Sequence, residues 1–183
     1  MTRMTALLLC GYRGCDPGEA ALGIDVIDAR IKTLRGYGYK VICVLSGQQA
    51  DEQLAHCRKI AECELAFDTN EVPTLATNLK AGLAATDGEG CFVFPVEVPV
   101  PERPQWENLR EEWRRIGFHT ENSVLQLADE QGALCHYGFP IILTRKGNTL
   151  IREIQGFSTL NDTRLKYLLV QPNSDLAPDA NSL

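Results

Sequence analysis

Several features that would point directly to a function are missing from this 183-residue chain. No stretch approaches the ~20 consecutive apolar residues a membrane-spanning helix requires, so no membrane partner is expected. The start, Met1-Thr2-Arg3-Met4-Thr5, leads only into a short apolar run from Ala6 to Cys10. That is too little for a secretory signal, and none is expected. Basic charge is scarce. With 18 Lys and Arg against 24 Asp and Glu, the net charge is -6, which argues against a nucleic-acid-binding surface. The seven cysteines contain no CxxC pair, and the spacing of His56, Cys57 and Cys63 fits no standard zinc pattern. Neither a GxGxxG fingerprint nor a Walker A loop occurs, and no lysine stands before Lys32. There is no internal repeat and no low-complexity tract.

What remains is a composition of 44% hydrophobic and 23% charged residues. It predicts one domain over 1–170, long enough to bury a substantial core, with a polar tail over 171–183. Charge is unevenly spread: residues 1–60 carry +2, residues 61–112 carry -8, and residues 113–183 are neutral. A solvated face accounts for most of the acidic middle. Cys10, Cys43 and Cys91 fall inside apolar runs and read as buried free thiols, which suits a reducing cytoplasm.

Short apolar runs alternate with helical patterns. Thr5–Cys10 reads as a buried strand, and Ile24, Ile27, Ile31 and Leu34 as a helix closed by Gly36 and Gly38. Lys40–Leu45 reads as a second strand, and Ser46 with Gln49 as a capping box opening a helix striped by Ala50, Leu54, Cys57 and Ala61. Glu64–Phe67 is a short strand. Pro73 suits the first turn of a helix striped by Leu75, Leu79 and Leu83. Cys91–Phe94 is the clearest buried strand, and Trp106, Leu109, Trp113 and Ile116 mark another helix. Val124–Leu127 and Ala133–Tyr137 read as a hairpin or insertion, and Ile141–Leu143 as an inner strand. Helical patterns follow around Leu150–Ile154 and Leu165–Leu169. This alternation predicts an α/β fold with a largely parallel sheet.

In such sheets ligands sit beyond the carboxyl ends of the strands. The segment Gly11-Tyr12-Arg13-Gly14-Cys15-Asp16-Pro17-Gly18 follows the first strand there. Its three glycines and arginine suit backbone contact with a phosphate, and equally suit an ordinary tight loop. Glu97 is the lone acid in Phe94-Pro95-Val96-Glu97-Val98-Pro99, placed to ligate magnesium shared with substrate phosphates, or else simply exposed on a rim. Gly138-Phe139-Pro140, with Asp162 and Arg164, can shape a pocket wall. Asp162 alternatively favours a helix N-terminus, and Arg164 an ordinary ion pair.

Taken in order, these segments resemble the MobA-like nucleotidyltransferases, which attach GMP or CMP to molybdopterin. Asn78-Leu79-Lys80-Ala81-Gly82-Leu83 is similar to that family's Ser-Leu-x-x-Gly-Leu helix, and Pro95-Val96-Glu97-Val98-Pro99 to its metal-binding Asp-x-Pro segment. Gly138-Phe139-Pro140 is similar to its Gly-His-Pro strand, and Leu160–Leu169 to its Gly-Asp-x-Gly-Ala-Arg helix. The resemblance implies a three-layer α/β/α Rossmann-like nucleotidyltransferase fold of the GT-A type, with a mostly parallel mixed sheet. It implies transfer of NMP from an NTP to a phosphorylated acceptor such as molybdopterin. Gly11, Tyr12, Arg13, Gly14, Asn78, Gly82 and Leu83 would contact the nucleotide, with Arg13 and Glu97 catalytic. Glu97 and Asp175 would hold Mg2+, and Gly138, Phe139, Pro140, Asp162 and Arg164 would line the acceptor pocket. The chain departs from the family at three points. Its first loop has no lysine, Glu97 replaces the aspartate, and Phe139 replaces the histidine. The longer Glu97 side chain displaces its carboxylate by roughly 1 Å, enough to cost about a hundredfold in rate. The alternative is a non-catalytic relative acting as a nucleotide-binding or protein-interaction module, with a protein partner or a second copy of the chain.

Overall fold

The structure, a computed structural model, describes residues 4–10, 24–87, 90–116, 124–127, 139–153 and 165–170. In chain order its elements are β1 (Thr5–Leu9), α1 (Ile24–Gly36), β2 (Lys40–Ser46), α2 (Gly47–His56), a 3-10 turn (Ile60–Glu62), β3 (Glu64–Asp68) and α3 (Leu75–Ala84). They continue with β4 (Cys91–Pro95), α4 (Arg103–Ile116), β5 (Val124–Leu127), β6 (Ile141–Leu143), α5 (Arg145–Glu153) and β7 (Tyr167–Val170).

The seven strands form one sheet in the order β3-β2-β1-β4-β6-β5-β7. The ladders β3–β2, β2–β1, β1–β4 and β5–β7 are parallel, while β6 runs antiparallel to both its neighbours. Side chains alternate across the sheet and build two cores. Ala6, Leu8, Cys43 and Leu45 face a layer of Ile27, Ile31 and Leu34 from α1, Ala50 from α2, and Trp106 and Leu109 from α4. Leu7, Leu9, Ile42 and Val44 face Leu79 and Leu83 from α3 and Ile151 from α5. Helices cover both faces, giving the expected three-layer arrangement. Strands buried on both sides read as continuous apolar runs, and β1 and β4 do. Gly38, with φ of 86°, turns the chain from α1 into β2 at a conformation glycine tolerates best.

Four local expectations are corrected. Leu165–Leu169 does not open a helix: the chain forms strand β7 from Tyr167, paired with β5. Ser46 is the N-cap of α2 but makes no capping hydrogen bond with its side chain. The capping box belongs to α3 instead, where Thr77 N–H donates to Thr74 Oγ1 at 3.1 Å and Thr74 N–H donates to Thr77 Oγ1 at 2.8 Å. Pro73 accordingly precedes the cap rather than opening the helix. Leu54 is 40% exposed, so the stripe on α2 rests on Ala50 and on Cys57 beyond its end. The proposed Ala133–Tyr137 strand lies outside the described residues.

Candidate functional site

The strand order reverses direction between β1 and β4. From β1 the chain crosses to β2 and then β3 on one side, while β4 begins the other half of the sheet. Such a switch point leaves a crevice beyond the carboxyl ends of the two strands, because their connections depart in opposite directions. Leu9 is paired with Pro95 at that edge. The ladders continue one residue further: Cys10 N–H donates to the Val44 carbonyl at 2.9 Å, and Val96 N–H donates to the Leu9 carbonyl at 3.1 Å. The Cys10 carbonyl accepts from Gln53 Nε2 of α2 at 3.1 Å. Residues 11–23 therefore depart from a backbone fixed on three sides.

Glu97 lies in a turn immediately after β4, closed by Val98 N–H donating to the Pro95 carbonyl at 3.0 Å. Val96 and Val98, its neighbours, are buried in the cores on opposite faces of the sheet. These two anchors hold Glu97 half-buried at the sheet edge, with its Oε2 enclosed. Among the described residues no three acidic, histidine or cysteine groups converge to form a metal cage. A lone carboxylate at a strand end fits a magnesium ion that takes most of its ligands from substrate phosphates and water, as this hard cation commonly does.

Phe139 and Pro140 precede β6, joined by a cis peptide bond. Since Ile141 pairs antiparallel with Val93, they enter the sheet beside the carboxyl end of β4, on the same edge as Glu97. Both are buried, Phe139 in the core on the α3 side. The helix residues are differently placed. Gly82 packs α3 onto the sheet so closely that an added Cβ would lie 2.8 Å from Val44 Cγ2 and 3.3 Å from Leu7 Cδ1. Leu83 is buried in the same core. Asn78 is fully buried and donates from Nδ2 to Asp68 Oδ2 at 2.7 Å. All three are thus buried, Gly82 and Leu83 by packing against the sheet and Asn78 with its hydrogen bond to Asp68. Gly11, Tyr12, Arg13, Gly14, Gly138, Asp162, Arg164 and Asp175 lie outside the described residues.

Asp68 is the polar centre that sequence reasoning missed. It ends β3 on the same carboxyl edge and is buried. Its Oδ2 accepts from Thr77 Oγ1 at 2.5 Å and from Asn78 Nδ2 at 2.7 Å, and its Oδ1 accepts from Asn70 N–H at 3.1 Å and Asn70 Nδ2 at 2.5 Å. Burial pushes its pKa up, but these hydrogen bonds outweigh burial and hold it below the ordinary value. The carboxylate thereby ties the β3 end to the start of α3. A signal was present in the sequence: Asp-x-Asn after a strand is an Asx turn, and Thr74-x-x-Thr77 is a cap pattern.

No protein-family model matches the chain, and no curated protein matches it at a significant level. Solved structures do share its architecture. The Rv0371c protein of Mycobacterium tuberculosis H37Rv, in a complex with manganese, superposes with a TM-score of 0.62 at 14% identity, covering 93% of this chain and 89% of that one. A CMP:2-keto-3-deoxy-manno-octonic acid synthetase complexed with CTP gives 0.61 at 9% identity over 93% and 90%. HddC from Yersinia pseudotuberculosis, complexed with GMP-PN, gives 0.59 at 11% identity over 91% and 90%. The chain has a nucleotidyltransferase-like fold. At these identities the likeness establishes fold alone, and the chemistry must be argued from this chain's own residues.

Proposed function

We propose that the protein is a nucleotidyltransferase that moves NMP from an NTP to a phosphorylated small molecule, molybdopterin being the acceptor the MobA resemblance suggests. The observation carrying this reading is Glu97, held half-buried in the turn after β4, at the carboxyl edge of the sheet where the strand order reverses beside β1. Neighbours of the same fold bind CTP and GMP-PN, which supports a nucleotide as the ligand.

In this reading an acceptor phosphate oxygen attacks the α-phosphorus. The bond from that phosphorus to the bridging oxygen breaks, and pyrophosphate leaves with the electron pair. Positioning and charge neutralisation carry nearly all the catalysis in such transfers. Glu97 would hold Mg2+, with Asp175 a second ligand, and the ion supplies positive charge to the triphosphate. Gly11, Tyr12 and Gly14 would offer backbone N–H groups to phosphate, and Arg13 its guanidinium. Asn78, Gly82 and Leu83 act on the nucleotide side through the placement of α3. Phe139 and Pro140, on the same edge as Glu97, with Gly138, Asp162 and Arg164, would line the acceptor side. The single domain of residues 1–170 works in a reducing cytoplasm, a setting that suits the five free cysteines among the described residues.

The test is incubation with each NTP, Mg2+ and molybdopterin. Pyrophosphate release that disappears in Glu97→Ala supports the enzyme, and release no greater than that variant's overturns it. One observation favours the second reading, a nucleotide-binding or protein-interaction module without turnover: no lysine occurs in residues 11–23. Arginine's planar fork does not reproduce a lysine point charge. A nucleotide at about 100 times its Kd stabilises a protein by about 2.7 kcal/mol, so a thermal shift without pyrophosphate release selects the binding module.

A further inference from the structure

β3 forms one edge of the sheet, and among the described residues no strand pairs with its outer side. The ladders fix which of its peptide groups face outward. Cys10 N–H donates to the Val44 carbonyl at 2.9 Å and Lys40 N–H to the Met4 carbonyl at 3.1 Å, so the even-numbered residues of β2 bond to β1 and the odd-numbered ones to β3. Cys43 pairs with Leu65 and Leu45 with Phe67 in parallel register, where the bonds go to the residues on either side, Glu64, Ala66 and Asp68. Leu65 and Phe67 therefore turn their N–H and C=O groups away from the sheet. Natural edge strands are commonly blunted by lysine, proline or an outward charge. β3 has no lysine or proline, and both its acids are engaged within the chain. Glu64 pairs with Lys40 at 2.9 Å, and Asp68 is buried in its network with Thr77, Asn78 and Asn70. Apolar surface collects here instead: Phe67 is 50% exposed and Val72, just beyond the strand, is 76% exposed. Phe67 lies on the same sheet face as Leu65, which packs against the core under α1 and α2.

We propose that a second copy of this chain docks on the β3 edge, antiparallel and about a two-fold axis at Phe67, so that the two sheets join into one. Charge selects both the occupant and the register, because like charges directly opposite each other destabilise a strand pair. Centred on Ala66, a symmetric pair would set Glu64 against Asp68 of the copy. Centred on Leu65 it would set Glu62 against Asp68, and centred on Asp68 it would set that residue against itself. Centred on Phe67, Glu64 meets Asn70, Asp68 meets Ala66, Glu62 meets Val72 and Glu71 meets Cys63, so no two acids are opposed. The same register lets the outward peptide groups of Phe67 exchange both N–H···O=C bonds with its copy. It also brings the two Phe67 rings together on one face of the joined sheet, a favourable cross-strand pair. The edge strand thus matches itself, as an isologous dimer contact must. This proposal is independent of the nucleotide reading.

Sedimentation equilibrium of the full chain over about two decades of concentration should show monomer and dimer in exchange. Phe67→Lys removes the ring pair at the centre of the contact and sets two like charges across the axis. Loss of a central interface anchor weakens binding by about 30-fold, so this variant should raise the dimer dissociation constant by at least that factor. Phe67→Leu keeps an apolar side chain there and should dimerise more tightly than Phe67→Lys. Hydrogen exchange on the wild-type chain reads the edge directly and needs no variant to fold. Amides of a peptide covering residues 64–70 should gain protection as concentration rises, while those of β7 at the opposite edge should not. A chain that stays monomeric throughout the range overturns the proposal. So does a dimer whose dissociation constant is unchanged by Phe67→Lys, or one whose formation leaves the exchange of residues 64–70 unaltered.

Discussion

Asp68 and Cys57 put opposite demands on their surroundings. Asp68 is a buried carboxylate whose charge is stabilised by four hydrogen bonds from Thr77, Asn78 and Asn70. Its pKa is lower in the folded chain than the ordinary value, so the unfolded chain binds a proton more readily. The stabilisation is therefore complete above the unfolded pKa, near about 3.9, and is lost as pH falls through the folded one. Asp68→Ala should destabilise the protein by about 3 kcal/mol at neutral pH, since it leaves buried donors unsatisfied. Asp68→Asn should flatten the acid limb of the stability curve, as read by urea unfolding from about pH 5 down to about pH 2. Cys57 is shifted the other way. Its thiol donates to Asp28 Oδ1 at 2.8 Å, an oxygen that also accepts from the Lys59 N–H at 2.7 Å. Burial first, and the Asp28 carboxylate second, push the Cys57 pKa up to about 12. At about pH 8 its thiolate fraction is about a thousandfold below that of an ordinary cysteine. Native Cys57 should resist iodoacetamide by that factor relative to the denatured chain, as followed by mass spectrometry.

At the scale of elements, two glycines decide how closely helices approach the sheet, and they differ in what blocks a side chain. At Gly82 on α3 an added Cβ meets the Cγ2 of Val44 at 2.8 Å. The Val44 side chain is stiff, but a small shift of α3 and alanine's better helix propensity, worth about 1 kcal/mol, partly offset the clash. At Gly90, just before β4, the added Cβ meets Trp113 Nε1 at 2.8 Å and the Leu143 backbone carbonyl at 2.9 Å. That carbonyl belongs to β6, paired with β4, and cannot yield without disturbing the ladder. Overpacking of this kind costs typically about 1–3 kcal/mol. Gly90→Ala should fall at the upper end and Gly82→Ala near the lower, compared by their denaturation midpoints. Equal costs would mean that α3 is as rigidly seated as the ladder. Elements with a strong period were legible in the sequence: α1 from Ile27, Ile31 and Leu34, and β4 from its unbroken apolar run. β7 was not, because Leu165, Leu168 and Leu169 satisfy helical spacing and four residues cannot distinguish the two periods. The Asp68 network was hidden for another reason. Its partners are neutral Thr and Asn residues, which look like ordinary loop polarity until β3 and α3 converge.

On the scale of the whole molecule, the two halves of the sheet are unequally built. The block β3-β2-β1-β4 is joined by parallel ladders of five residue pairs each and is covered on both faces. Within the sheet, the block β6-β5-β7 is joined to it among the described residues by the three pairs between β4 and β6, with Leu125 and Ile142 packing beside Trp106 of α4. The switch point and Glu97 belong to the first block, whereas Phe139 and Pro140 belong to the seam. Both halves carry strands that the sequence makes legible, β1 and β4 as unbroken apolar runs and β6 as Ile141-Ile142-Leu143, whereas β7 at the far edge has too few residues to be told from a helix. The asymmetry between the halves has a measurable consequence. Local opening follows the least-packed units, so amides of β5 and β7 should exchange with solvent faster than those of β1 and β2. Hydrogen exchange read by mass spectrometry should rank peptides covering residues 124–127 and 167–170 well below those covering 5–9 and 40–46 in protection. Equal protection would mean the three β4–β6 pairs bind the halves into one cooperative unit. Should a nucleotide raise protection in the first block alone, its contacts lie with Glu97 and the strand ends around it. Should protection rise across the seam as well, Phe139 and Pro140 take part in the bound state.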